Sequence, residues 1–173
     1  MEAAFITALQ RPRRYEYLDH TADLFIHSLG DDFSECVEQA LLSIARYMYP
    51  VHELDARAVQ PTCFDTITHL IEAEGHSIDA LLYQLLSELL VVGVVHHCAI
   101  INAHVEQVYL GGKSITYAVN HEGMYHINVK LLCVAVTPSL PRGTEVKAVT
   151  KQGFRIALDE SDGLWHLHMV VDI

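Results

Sequence analysis

From Phe33 onward the apolar residues Val37, Ala40, Leu41, Ile44, Ala45 and Met48 recur at three- and four-residue intervals, which gathers their side chains on one face of an α-helix. Gly30-Asp31-Asp32 in front of the run offers a cap and Pro50 behind it a stop, so the first helix is predicted between them. A second helix is predicted from Ser77, a serine cap followed by Ile78, Leu81, Leu82, Leu85, Leu86, Leu89 and Leu90, and it should fade near Gly93.

The rest of the chain reads as strands. Residues 15–18 and 24–29 form extended segments on either side of Asp19-His20-Thr21-Ala22-Asp23, and residues 62–72 form another between the helices. A meander follows: 99–110, a turn at Gly111-Gly112, 114–120, a turn at Glu122-Gly123, then 125–136. Residues 137–143, with Pro138, Pro141 and Gly143, read as a loop before closing strands at 145–150, 154–159 and 164–173. Two amphipathic helices and many strands imply one α+β domain over 15–173, a mostly antiparallel or mixed sheet with both helices packed on one side, preceded by a flexible segment over 1–14.

Composition narrows the function classes. With 173 residues, 51% of them apolar and 19% charged, the chain can bury enough surface to fold alone. Twenty-two acidic against 11 basic residues give a formal charge of −11, which argues against a broad nucleic-acid surface. Cys36, Cys63, Cys98 and Cys133 are widely spaced and are expected as buried free thiols. No secretory leader is expected from Met1-Glu2-Ala3-Ala4, and the apolar run over 85–95 is too short to span a bilayer, so the expected location is cytoplasm, or nucleus in a eukaryote.

Most candidate motifs have plain structural explanations. Gly111-Gly112-Lys113-Ser114 ends like a phosphate loop, but Gln107 stands at the place of the first glycine and a strand follows. Gly75-His76-Ser77 lacks the closing glycine of a nucleophile elbow, and Ser77 is better placed as a helix cap. His166 and His168 share one strand face, and solvent-facing positions opposite Trp165, Leu167 and Met169 are favoured over zinc ligation. The carboxylates Asp19 and Asp23 flank a turn between extended segments and Asp31 and Asp32 follow within a few residues; oxygen-rich sites favour hard cations such as calcium or magnesium, although aspartates also populate turns and caps. Leu167 to Ile173 carries an apolar strand to the last residue, so a held terminal carboxylate beside Asp172 would add hard oxygens.

Together, Tyr15-Glu16-Tyr17-Leu18-Asp19-His20-Thr21-Ala22-Asp23, Gly30-Asp31 opening a helix, Gly143-Thr144-Glu145-Val146-Lys147-Ala148-Val149-Thr150 and the final Asp172-Ile173 resemble the archease family over nearly the whole chain. The resemblance implies a single α+β domain that is not itself an enzyme. It implies calcium, or magnesium or another divalent cation in its place, held by Asp23, Asp172 and Ile173. It implies partnership with an RtcB-type RNA ligase, whose guanylylation and repeated turnover in tRNA splicing the protein promotes, so that tRNA is reached through the ligase. Lys147 is the candidate activation residue, and strand alternation sets it opposite Val146 and Ala148, toward solvent or a partner. Leu140 and Lys151 stand where the family pattern has a histidine and an aromatic residue. A general chaperone of RNA-processing enzymes is the alternative, and a hydrolase with water activated near Asp19, Asp23 and His20 a more distant one.

Overall fold

The structure is a computed structural model that describes residues 11–19, 23–51, 65–110, 113–114 and 124–173, with the backbone alone at Asp19, Lys113 and Ser114. The first helix, α1, covers Phe33–Met48. Asp32 caps it by accepting from Glu35 N, and Glu35 returns the bond by accepting from Asp31 N at 2.7 Å, a reciprocal closure of two helix-start donors. The second helix, α2, covers Ile78–Val95, with Ser77 accepting from Ala80 N as expected of a cap. It runs past Gly93 because the last turn closes normally, His96 N donating to Val92 O, and it stops where His97 turns to φ 48°.

The described strands divide into two sheets. In the first, β1 (Tyr15–Asp19), β2 (Asp23–Gly30) and β9 (Leu164–Asp172) lie side by side, and the far edge of β9 pairs with both β7 (Ala148–Val149) and β8 (Arg155–Asp159). In the second, β3 (Thr66–Gly75), β6 (Tyr125–Ala135), β4 (Cys98–Leu110) and the short β5 (Lys113–Ser114) follow in that order. Every pairing among the described residues is antiparallel. The turns expected at Gly111-Gly112 and Glu122-Gly123, most of the 114–120 strand and Cys63 lie outside the described residues.

Both helices contact both sheets, and one apolar core joins Leu24, Ile26, Leu41, Ile44, Leu85, Leu131 and Met169. The α+β class expected from the pattern is therefore correct, with the strands in two sheets rather than one and the helices against the inner face of each. α2 is long and apolar enough to cross a membrane by composition; here Leu81, Leu82, Leu85, Leu86 and Leu89 form its core stripe. A smaller cluster of Val51, Ala99, Ile101, Val134 and Leu140 forms separately. Leu140, the departure from the family pattern, is thus a core residue, and Lys151, the other, sets its ammonium 5.0 Å from the Tyr83 ring centroid.

α1 also buries polar groups, and these hold the start of the chain. Glu38 is buried and accepts from Val105 N at 2.7 Å, from the Arg11 guanidinium and from His104. Gln39 takes the Arg14 N–H and donates to Pro12 O, while Arg14 pairs with Asp31 and Glu35. Residues 11–14 of the segment expected to be flexible are therefore tied to α1; residues 1–10 lie outside the described residues.

Candidate metal centre and the surface around Lys147

Antiparallel pairing sets Asp23, the first residue of β2, opposite Asp172, the last of β9. Facing side chains leave the same side of a sheet with Cβ atoms roughly 4.5–5.5 Å apart, where like charges repel. Lys147 approaches from the other edge of β9. Its N–H donates to Asp172 O at 2.8 Å; its ammonium donates to the Ile173 main-chain oxygen at 2.8 Å and stands 4.0 Å from Asp172 Oδ1. Three of the expected site residues thus surround Asp172, although they come from three separate parts of the chain.

The loop that carries Lys147 is anchored at both ends. Gly143 N donates to Met48 O and Thr144 N to Tyr47 O, satisfying carbonyls at the end of α1. Val146 and Val149 are buried in the main core, and Thr150 N donates to Val170 O. The expected alternation holds for Val146 and Lys147 but fails at Ala148, which is exposed. The strand starts only at Ala148, so Val146 and Lys147 belong to the incoming loop and their directions are set by its anchors.

The residues fit a hard divalent cation. Two carboxylates on one face and a main-chain oxygen form an all-oxygen donor set, and Lys147 brings a single positive charge to them. The Ile173 oxygen is shared, because it already accepts from Lys147; an oxygen with two lone pairs can serve both. His20 lies outside the described residues, as does the side chain of Asp19, whereas Asp31 and Asp32 serve Arg14 and the α1 cap.

Beside Lys147 a cleft of about 960 Å³ opens between the end of α1 and the last turns of α2. Val91 and Val94 line it with Arg142 and Glu145, and both valines are at least half exposed. Sequence reading missed this surface, although α2 carries apolar residues beyond its core stripe, which signals a second covered face.

On the outer face of the first sheet a further cluster forms. His27 lies opposite His168 on β9, and His166 is the next residue on that face. His27 Nε2 meets His166 Nδ1 at 2.9 Å, and the rings of His27 and His168 stack at 4.3 Å. Burial and the nearby His27 and His166 hold the His168 imidazole below its ordinary pKa. His166 and His168 do share the face opposite Leu167 and Met169 as expected, but each is partly covered. The sequence contained no signal that His27, 139 residues away, would join His166.

The fold and the site at the end of its first sheet define a small α+β protein built around an acidic, lysine-capped sheet edge. The chain belongs to the archease family: the family model described as "Archease protein family (MTH1598/TM1083)" matches residues 15–173. It is 31% identical over 163 residues to the protein archease-like of Dictyostelium discoideum, covering 93% of this chain and 94% of that one. The protein archease-like of Drosophila melanogaster is also 31% identical, over 92% of this chain and 90% of that one. Among solved structures, protein 1598 of Methanobacterium thermoautotrophicum shares the fold with a TM-score of 0.67 at 23% identity, over 94% of this chain and all 100% of that one.

Proposed function

We propose that this protein is a metal-binding accessory factor that activates an RtcB-type RNA ligase, promoting its guanylylation and multiple turnover in tRNA splicing. The observation that carries the reading is the meeting of Asp23, Asp172, Ile173 and Lys147 at one sheet end. Four residues expected to act together from the family resemblance are neighbours or near neighbours in space. A buried core would need none of them.

Calcium, or magnesium in its place, would be held by Asp23, Asp172 and the Ile173 oxygen, and it would supply the positive charge that two facing carboxylates require. Lys147 is the residue of this group best suited to reach a partner: its side chain is 60% exposed yet tethered to Ile173. Its loop borders the cleft, whose valines offer apolar area and whose Arg142 offers a charge-assisted contact. The protein itself performs no bond-breaking step in this reading. It works in the cytoplasm or nucleus and meets tRNA through the ligase, as the formal charge of −11 favours.

A chaperone role is the second reading. An archease from Thermotoga maritima, with a TM-score of 0.50 and 14% identity, is described as a possible chaperone, and the exposed Val91, Val94 and Val95 would suit transient apolar contacts. Guanylylation of a fully folded ligase separates the two. Stimulation that requires Lys147 supports the activator; protection of unfolded ligase with no effect on the folded enzyme supports the chaperone.

A further inference from the structure

We propose that His27, His166 and His168 form a second metal site, for a first-row transition ion such as zinc, on the same sheet face as the acidic site and separate from it. Asp23 and His27 are four residues apart on β2, about 13 Å along a strand, with Phe25 and its partner Val170 between. One site is all oxygen and the other all imidazole, and those donor sets select hard and borderline cations respectively.

The hydrogen bonds around the cluster carry the argument. His27 Nδ1 lies 2.9 Å from Glu16 Oε1, and His166 Nε2 lies 3.0 Å from Asp162 Oδ2. An ionised carboxylate only accepts, so each of these ring nitrogens carries its proton. In neutral rings the remaining nitrogens, His27 Nε2 and His166 Nδ1, are then both lone-pair acceptors, yet they face each other at 2.9 Å. Two lone pairs at that distance repel, so the gap calls for a cation, either one extra proton or a metal. The same two carboxylates supply what a metal-bound histidine ordinarily has, an acidic partner on its other nitrogen that fixes the tautomer and raises basicity.

The third ring favours the metal over the proton. Among the described residues His168 Nδ1 is buried without a hydrogen-bond partner, and one ring nitrogen from each of the three histidines lies within 4.8 Å of the others. Zinc–nitrogen bonds of about 2.0–2.1 Å at tetrahedral angles separate ligand nitrogens by about 3.4 Å. The 2.9 Å pair must therefore open slightly and His168 must tilt out of its stack on His27, while a fourth position stays open toward solvent. Arg155 faces His168 across β8 and opposes a cation, against Glu16 and Asp162 in its favour.

The test is titration of chelator-stripped full-length protein with Zn²⁺ against a chromophoric chelator, and with Co²⁺ followed by its visible spectrum. Wild type should take up one zinc tightly. His27→Gln and His168→Gln should weaken that binding at least about 100-fold with folding unchanged by circular dichroism. Glu16→Gln, which touches no metal, should weaken it about 10–100-fold, a graded loss that a misfolded protein would not give. Absence of tight zinc binding by wild type overturns the site. So does binding that survives both histidine variants with a cobalt–thiolate absorption band, which would place the ion at His69, Cys98 and Cys133 instead.

Discussion

Gly143→Ala tests how the Lys147 loop is positioned. A Cβ built at Gly143 would stand 2.0 Å from Tyr47 O and 3.1 Å from Tyr47 C, both backbone atoms at the end of α1, so a side-chain rotation cannot relieve the contact. If the loop stays, the overpacked contact costs about 1–3 kcal/mol. If it withdraws, it gives up the Gly143 N–Met48 O and Thr144 N–Tyr47 O bonds, each worth about 0.5–1.5 kcal/mol, which again totals about 1–3 kcal/mol. For a chain of this length each kcal/mol lowers Tm by about 2–4 °C, so thermal unfolding followed by circular dichroism should show a drop of about 2–12 °C. A withdrawn loop also carries Lys147 away from Ile173, and stimulation of the ligase should fall with it. A variant with unchanged Tm and unchanged stimulation would refute the claim that this contact sets the loop.

Lys147→Ala removes an exposed ammonium whose ion pair with Asp172 is long, so Tm should stay within about 2 °C while ligase stimulation is lost; intact stimulation would make the lysine an ordinary surface residue. Calcium at about 100 times its Kd should stabilise wild type by about 2.7 kcal/mol, and Asp23→Ala or Asp172→Ala should abolish the shift; an unchanged shift would move the site. Burial pushes the Cys36 thiol up to about 12, so it should resist alkylation at pH 8 until the chain unfolds, as mass spectrometry of peptides would show. His69 and His168 are held below their ordinary pKa, chiefly by burial; the unfolded chain then binds more protons, and Tm should fall as pH drops below about 6.5. His69→Gln should flatten that fall.

Local patterns were legible in the sequence, and contacts between distant segments were not. Val37, Leu41 and Ile44 gave α1 because helical period and capping are short-range, and Asp32 and Ser77 cap the helices as their residue types suggest. β7 was overextended to 145–150 because Val146 and Val149 are both apolar; the first belongs to a loop held by α1, which no alternation reveals. The division into two sheets follows from which strands pair, a choice made by packing against the helices. Asp23 and the Asp172-Ile173 end were each legible as candidate oxygen donors, but family resemblance alone joined them to each other and brought in Lys147, since spacing gives no reason to join residues nearly 150 positions apart. His27 entered by neither route, because a lone histidine on a strand has no period to betray it and its partners are set by the β2–β9 register.

Multiple-turnover ligation separates an activator of the ligase from a bystander. Purified RtcB-type ligase, GTP, a divalent cation and cleaved tRNA would be incubated with substoichiometric wild-type protein or the Asp23→Ala, Asp172→Ala and Lys147→Ala variants, and ligated product counted per ligase. Many turnovers are expected with wild type and about one or fewer with each variant, with ligase guanylylation reduced in parallel. Equal turnover with all four proteins, or no effect of wild type on a ligase that is already folded, would contradict the activator role.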